Sequence, residues 1–270
     1  MVTELIVKAY PKPPTVYGGV LLFPMDKFDA LASHLITITD PKVNAMLGVA
    51  RMPPDMHPAI LLVAMVFDEE SYAKETLKWA WDLEPLMDWT KKMSLEESIK
   101  TQEMYIHPPA KGTIFQQHNL VLSKLTPEIM KAGLEWQAEI QKDPRFYGAS
   151  LLFEPFRPGA FSPTSSSNKK DEDERSAWPH SSYNTYIINI IIEQRNFSPE
   201  HIQENNAHLR ECVRRMEEKA ESGTVLPRYP NYYLAGVPVE EYYAGNLGKL
   251  RKVKARVDPQ GVFKSGIRIQ

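Results

Sequence analysis

Residues 229–263 read YPNYYLAGVPVEEYYAGNLGKLRKVKARVDPQGVF, and this stretch is the part of the chain that best indicates the fold. A Tyr-x-Asn-Tyr segment comes first, and a second aromatic cluster, a basic segment and an Asp-Pro pair follow it. Because the residue before a proline disfavours helical backbone, Asp258-Pro259 predicts the end of a last helix that covers about 239–256.

The order and spacing of these residues resemble the C-terminal signature of berberine-bridge-type FAD-linked oxidases. That family shows Tyr-x-Asn-Tyr and then Tyr-Gly-x-Asn-x-x-Arg-Leu-x-x-Val-Lys-x-x-Tyr-Asp-Pro-x-x-x-Phe. The matching residues, in order, are Tyr229, Asn231, Tyr232, Tyr243, Asn246, Leu250, Val253, Lys254, Asp258, Pro259 and Phe263. The chain departs from the pattern at Ala244 in place of glycine, Lys249 in place of arginine and Val257 in place of the last tyrosine.

The resemblance implies a domain organisation. Family members carry an N-terminal flavin-binding domain before the substrate domain, and this chain opens at Met1-Val2-Thr3-Glu4-Leu5, near the expected seam between the two. We therefore expect residues 1–270 to form a single domain of the substrate-binding type, without a FAD-binding domain. On this expectation the chain binds no cofactor of its own, and FAD is present only if a partner supplies it.

The composition is that of a globular protein and excludes several partners. The chain has 270 residues, of which 43% are hydrophobic, and its net charge of -2 offers no basic surface for nucleic acid or an anionic membrane. No apolar run is long enough to span a bilayer, and no secretory signal is apparent, so we expect a cytoplasmic protein. The single cysteine, Cys212, excludes an internal disulfide and is interpreted as a packing residue.

Helix starts and strand patterns predict an α+β fold. Thr126-Pro127, Ser198-Pro199 and the capping box of Ser94 and Glu97 predict helices over about 127–142, 199–221 and 95–105. Two further helices are predicted to begin near Asp26 and Asp68. The strand candidates are Thr3 to Ala9, Tyr17 to Phe23, Ile60 to Phe67, Thr113 to Ser123, Tyr147 to Glu154 and Tyr183 to Glu193. Because strands and helices do not alternate strictly, we expect a large, mainly antiparallel sheet with helices on one face. The resemblance implies the same architecture, with the other face forming the substrate pocket.

The segment 162–175, SPTSSSNKKDEDER, contains no large apolar side chain. Such a composition cannot offset the entropy lost on ordering, so it predicts a mobile surface loop. A plain solvated insertion and a lid beside the substrate site are both compatible with this loop.

Polar residues within apolar strands are the first candidates for chemistry. Asn189 lies in the run YIINIII, where a lone amide must find hydrogen-bond partners or cost a few kcal/mol. Its position resembles one where family members carry a catalytic Glu or a substrate-contacting Gln, but a satisfied structural amide is an equal alternative. In the strand TIFQQHNL, Gln116 and His118 share one face, while Gln117 and Asn119 share the other. His118 is a candidate acid or base, although an ordinary half-buried histidine explains it as well.

Further candidates come from the resemblance. Glu154 and Arg157 flank a segment similar to the family's Glu-Pro-x-Gly-Gly-Ala, and a structural ion pair is the alternative interpretation. His180 and Tyr183 follow the 162–175 segment, in a region that approaches the flavin in the family. The resemblance also implies substrate contacts for a further set of residues, namely Tyr229, Asn231, Tyr232, Tyr243 and Asn246. In some members a tyrosine of this segment acts as the base toward an alcohol, helped by an acidic partner.

Three functional hypotheses follow. The leading one is a cofactor-independent cyclase or isomerase, for instance of the Diels–Alder type, in which Asn189, Tyr229 and His118 polarise an apolar natural-product intermediate. The second is the substrate-binding half of a split or truncated FAD-dependent oxidoreductase. The third is a non-catalytic binding module. In each case we expect a homo-oligomer or a partner to cover the exposed sheet face. The sequence contains no motif typical of metal, nucleotide or serine-hydrolase chemistry.

Overall fold

The computed structural model describes residue 4 and residues 15–52, 56–103, 113–156, 177–179, 185–195, 198–263 and 266–269. Within these ranges, the strands form one nine-stranded sheet in which every pairing is antiparallel. The strands are β1 (Val16–Phe23), β2 (Val43–Met52), β3 (His57–Val66), β4 (Met87–Asp88), β5 (Lys91–Met93), β6 (Thr113–Leu122), β7 (Ser150–Phe156), β8 (Thr185–Arg195) and β9 (Val225–Leu226). Their order is β4-β1-β3-β2-β7-β8-β6-β9, and β5 also pairs with β1.

Eight α-helices connect and cover these strands in the described residues. They are α1 (Phe28–Thr37), α2 (Glu70–Thr76), α3 (Lys78–Trp81), α4 (Leu95–Glu103), α5 (Pro127–Ile140), α6 (Pro199–Glu217), α7 (Glu240–Tyr243) and α8 (Leu247–Val257). No helix in the described ranges combines the length and the apolar character that crossing a membrane requires.

Strand alternation gives the sheet two chemically different faces. The helix face carries one continuous row across six strands, in the order Leu21, Leu62, Leu47, Phe153, Ile188 and Leu120. These side chains belong to the main core, together with buried residues of the covering helices such as Trp136 of α5 and Met216 of α6. The next row points the opposite way, and we call its side the outer face; it runs Leu22, Leu61, Gly48, Leu152, Asn189 and Asn119.

The helix caps that the sequence predicts at the starts of α4, α5 and α6 are confirmed. Ser94 and Glu97 form a reciprocal capping box, in which the Ser94 amide donates to the Glu97 carboxylate over 2.7 Å and the Glu97 amide donates to Ser94 Oγ over 3.1 Å. At α5, the Thr126 hydroxyl accepts a hydrogen bond from the Ile129 amide. At α6, the Ser198 amide donates to Nδ1 of His201 over 3.1 Å.

The α+β class and the large antiparallel sheet are confirmed, and two details are corrected. The strand β2 was not predicted, because alanine, glycine and methionine give VNAMLGVARM little strand propensity; pairing with β3 and β7 holds it in the middle of the sheet. The last helix is not continuous, since it divides at residue 244 into α7 and α8. The predicted strand Thr3 to Ala9 and the segment 162–175 lie outside the described residues.

The division between α7 and α8 has a backbone cause. Ala244 caps α7 with φ 41° and ψ -123°, a conformation that glycine adopts readily and alanine does not. This is the position at which the family pattern has glycine. The Cβ of Ala244 therefore strains a turn that the rest of the segment imposes.

We expect Ala244→Gly to stabilise the fold by about 1 kcal/mol, because relief of the positive-φ strain outweighs the added entropy of the unfolded chain. The measurement is the free energy of unfolding in urea. Ala207→Gly is the matched control, since Ala207 is exposed within α6 and its replacement removes helix propensity. The control should lose about 0.5–1 kcal/mol, and an equal loss in both variants would contradict the strain at residue 244.

Candidate functional site

Three polar side chains lie on the outer face where β6, β7 and β8 run side by side. Asn189 of β8 is opposite Asn119 of β6 on one side and Leu152 of β7 on the other. Glu154 is two residues along β7 from Leu152 and therefore lies diagonally across from Asn189. Strand register thus brings an acid and two amides to one region of the sheet.

Asn119 attaches the Tyr-x-Asn-Tyr segment to this region. Its side chain is fully buried, and Nδ2 donates to the carbonyl oxygens of Tyr229 and Tyr232 over 3.1 and 2.8 Å. Its Oδ1 accepts from the Tyr229 amide over 2.8 Å. Gln117, two residues away on the same face, donates to the carbonyl of Asn231 over 3.2 Å. Four hydrogen bonds from β6 therefore hold residues 229–232 across the outer face.

The most unusual electrostatic feature is the contact between Tyr232 and Glu154. The Tyr232 hydroxyl donates to the carboxylate of Glu154 and lies 3.0 Å from each of its two oxygens. Burial raises the pKa of Glu154 to about 7, although the hydrogen bond from Tyr232 opposes this shift. Burial and the neighbouring Glu154 raise the pKa of Tyr232, so the phenol keeps its proton at neutral pH. Glu154 is therefore a carboxyl group poised to gain or lose a proton near pH 7.

An aromatic cluster surrounds this pair. The ring of Tyr229 lies 5.1 Å from that of Trp178 and 5.3 Å from that of Tyr232, between centroids. The three rings pack on Val121 and Ile187, which belong to β6 and β8. The rings of Trp178 and Tyr232 are tilted by 57° and 84° to that of Tyr229, so the three form a packed cluster rather than one flat surface.

Asn189 is the second unusual group. It is 3% exposed, and its Oδ1 has no hydrogen-bond partner in the described part of the chain. The oxygen is itself buried, so it is an acceptor inside the packed face rather than one open to a ligand.

His118 and Gln116 do not join this cluster, because strand alternation turns them to the helix face. His118 is buried there with a pKa lowered to about 3 by burial and by the charges of Arg228 and Arg210, so its imidazole is neutral. Gln116 bonds to α6, since it donates to Asn206 over 2.5 Å and accepts from Asn205 over 2.9 Å. The prediction that His118 acts beside Asn189, and that Gln116 contacts the same substrate, is corrected by this geometry.

The remaining predicted residues fall into two groups. Asn231 joins the cluster, because its Nδ2 donates to the Tyr229 hydroxyl over 2.7 Å. Tyr243 and Asn246 lie in the short helical turns before α8, and the contacts of the Glu154–Tyr232 pair do not include them. Arg157, His180 and Tyr183 lie outside the described residues.

Sequence reasoning did not single out Asn119. The signal was present, because Asn119 interrupts a buried strand just as Asn189 does, and the two form a cross-strand pair. That pairing depends on the register of β6 and β8, which two separate stretches of sequence do not reveal. Trp178 is not among the candidates chosen from the sequence, and its packing on Tyr229 emerges only in the structure.

A family model and several solved structures match this chain. Residues 228–267 match the family model described as berberine and berberine like, so the match covers the segment that Asn119 holds. The chain therefore resembles the berberine-like oxidases in both its C-terminal signature and its fold. No curated protein sequence matches the chain.

Several solved structures of berberine-like enzymes share the fold. A xylooligosaccharide oxidase from Myceliophthora thermophila, in complex with xylobiose, is 15% identical with a TM-score of 0.69, and the match covers 96% of this chain and 56% of the oxidase. A variant of berberine bridge enzyme is 15% identical with a TM-score of 0.67 and the same coverage, 96% and 56%. GilR, an oxidoreductase of gilvocarcin biosynthesis in complex with pregilvocarcin, is 14% identical with a TM-score of 0.72, again over 96% and 56%. The chain thus spans just over half the length of these berberine-like structures.

Asn119→Leu should destabilise the protein by about 2–4 kcal/mol, because it leaves two carbonyls and one amide of the Tyr229–Tyr232 segment without partners in a buried setting. The measurements are urea unfolding and hydrogen exchange of the Tyr229 amide, which should lose its protection. Asn231→Ala is the matched control, because the Asn231 side chain is exposed. Retained protection at Tyr229 in Asn119→Leu would show that other contacts hold the segment.

Glu154 should titrate near pH 7 in the folded protein. The pKa of Glu154 is higher in the folded protein than in the unfolded chain, so between about pH 4.5 and 7 only the folded state holds a proton on this carboxyl group. Proton binding therefore stabilises the folded state at low pH, and this contribution to the free energy of unfolding is lost as the pH rises through 7. The unfolding free energy of the wild type relative to Glu154→Gln should therefore fall by about 1–3 kcal/mol between pH 5 and pH 8.

Tyr232→Phe should raise the Glu154 pKa further, which carboxyl-carbon NMR would report. A titration midpoint of Glu154 that is lower in Tyr232→Phe than in the wild type would contradict the hydrogen bond between Tyr232 and Glu154.

Proposed function

We propose that this chain is the substrate-binding half of a FAD-dependent oxidoreductase that oxidises a hydroxyl group on a ring-containing compound. The observation that carries the proposal is the Tyr232–Glu154 pair on the outer face, in which Tyr232 belongs to the segment that matches the berberine-like family model. The fold is shared with oxidoreductases that are about twice as long, which agrees with a chain that contributes one half of such an enzyme.

The described residues fit the substrate side of a flavin enzyme. When bound, a flavin accepts a hydride from the carbon that bears the hydroxyl group. The sequence has no glycine-rich phosphate-binding loop, so the phosphates of FAD are expected to be held by residues beyond this chain. In this proposal the outer face offers the substrate a proton acceptor, Glu154, and the partly buried ring of Tyr229.

The proton step follows from the geometry. As the hydroxyl group of the substrate loses its proton to the oxygen of Tyr232, the phenolic proton of Tyr232 passes to the carboxylate of Glu154 over 3.0 Å. Tyr232 thereby avoids the phenolate state, which burial and the charge of Glu154 disfavour. Glu154 serves as the final base, since its pKa of about 7 leaves much of it ionised at neutral pH.

The ring of Tyr229 lies beside Tyr232 and is only partly buried, so in this proposal it also contacts the substrate. The identity of that substrate does not follow from this contact, and a sugar ring or an aromatic ring fits it.

The cofactor-free cyclase or isomerase predicted from the sequence would use the same aromatic cluster. A ring closure without net proton transfer gives no role to a carboxyl group that titrates near neutral pH. The oxidoreductase is therefore the function that uses more of the observed site.

The test combines this chain with the flavin-binding portion of a berberine-like oxidase, either fused or in trans, and supplies ring-containing alcohols without oxygen. We expect bleaching of the flavin absorbance with a rate that rises through about pH 7, as Glu154 ionises. Glu154→Gln and Tyr232→Phe should each slow bleaching about 100-fold or more.

Glu193→Gln is the matched control, because Glu193 is an exposed carboxylate on the outer face of the neighbouring strand β8. It should bleach flavin at the wild-type rate. Equal rates in Glu154→Gln and Glu193→Gln would remove Glu154 from the mechanism. Conversion of a substrate by the chain alone, without flavin or any electron acceptor, would favour the cyclase instead.

A further inference from the structure

A cavity of about 180 Å³ opens on the helix face, on the opposite side of β6 from the Tyr232–Glu154 pair. It lies between β6, α6 and the segment that leads into α7. Its lining includes His118 of β6, three residues of α6 (Arg210, Val213 and Glu217), and Val237 and Pro238. The proposed oxidoreductase function uses none of these residues.

Most of the charges in this lining are already paired. Arg228 donates to Glu217 over 2.6 Å and to Glu241 over 3.2 Å, so one guanidinium lies between the two carboxylates. Arg214 pairs with Glu211 and Glu218 on the outer side of α6. Arg210 differs, because it forms no ion pair or hydrogen bond within the part of the chain that the structure describes.

The guanidinium of Arg210 lies at one wall of the cavity. A Cβ atom built on Gly236 would lie 3.1 Å from Nη2 of Arg210, so the group rests against a backbone that carries no side chain there. Gly236 directly precedes Val237 and Pro238, which form the apolar wall together with Val213 of α6. A cationic group and an apolar surface therefore adjoin within one small cavity.

His118 forms the inner wall and has unused hydrogen-bonding capacity. It is 2% exposed, and its Nδ1 has no partner in the described residues. Burial lowers the pKa of His118, with smaller contributions from the charges of Arg228 and Arg210, so the imidazole is neutral. A neutral imidazole offers one N–H donor and one acceptor nitrogen.

We propose that this cavity binds a small aliphatic carboxylate, with its charged end on Arg210 and its hydrocarbon chain against Val213, Val237 and Pro238. Arginine pairs with carboxylates through two parallel hydrogen bonds, and an N–H of His118 adds a donor from the inner wall. The volume suits about six heavy atoms, since an engineered cavity of about 150 Å³ holds benzene. The single charge of Arg228 offsets only one of the two carboxylates of Glu217 and Glu241, and Arg210 and Arg214 supply the remaining positive charge of the lining.

The probe for this site is sodium butyrate, and the readout is the methyl NMR signals of Val213 and Val237 in the full chain. We expect saturable shifts with a dissociation constant of about 1 mM, as befits a ligand of six heavy atoms. Butanol has the same chain without the charge, so it should bind about tenfold more weakly. Butylamine should not bind at the concentrations tested.

Arg210→Gln should weaken butyrate binding about tenfold, because a charge-assisted contact is lost. Lys219→Gln is the matched control; Lys219 is an exposed cation just beyond the end of α6, and its removal should change the affinity less than twofold. Urea unfolding would establish that both variants are folded.

Three results would overturn the proposal. The first is an absence of saturable shifts at Val213 and Val237 up to about 50 mM butyrate, far above the expected dissociation constant. The second is equal weakening by Arg210→Gln and Lys219→Gln, which would indicate general attraction of anions. The third is tighter binding of butylamine than of butyrate, which would assign the cavity to a cation.

Discussion

The hydrogen bonds of Asn119 are the constraint on which both functional regions depend. This residue is fully buried, and its backbone carbonyl oxygen accepts a hydrogen bond from the guanidinium of Arg228 over 3.1 Å. Its side chain forms hydrogen bonds with the backbone of Tyr229 and Tyr232. Arg228 and Tyr229 are consecutive, yet the first points to the helix face and the second to the outer face. The chain can pass around the edge of the sheet in this way because β9 ends at Leu226 and leaves the edge of β6 open to side-chain hydrogen bonds.

The two faces of the sheet consequently carry different chemistry a single strand apart. On the outer face, burial raises the pKa of Glu154 and keeps Tyr232 protonated beside it. On the helix face, burial likewise favours the neutral form: it lowers the pKa of His118, with smaller contributions from the charges of Arg228 and Arg210. A carboxyl group that accepts a proton near pH 7 and a cavity lined by arginines can coexist because the packed sheet separates them.

The parts of this structure that local chemistry determines were predictable. Caps such as that of Ser94 and Glu97, and the polar interruption at Asn189, involve residues within a few positions of each other. The failures have a common cause. The strand β2 depends on neighbours supplied by β3 and β7, and the break at Ala244 depends on a backbone angle that alanine alone would not choose. The prediction that His118 and Asn189 act on the same substrate failed because the register of β6 and β8 decides which side chains share a face of the sheet, and it pairs Asn189 with Asn119.

The sequence by itself determined the α+β class and the resemblance of residues 229–263 to the berberine-like oxidases, because both follow from residue type and local spacing. For the same reason it identified four of the candidate site residues, namely Glu154, Asn189, Tyr229 and Tyr232. The tertiary structure alone decided that Tyr232, rather than Tyr229, contacts Glu154, and that Asn119 holds the segment between them. It also decided that His118 and Arg210 share a separate cavity. These contacts join residues about 80 to 110 positions apart in the chain, and only the register of the folded sheet brings them together.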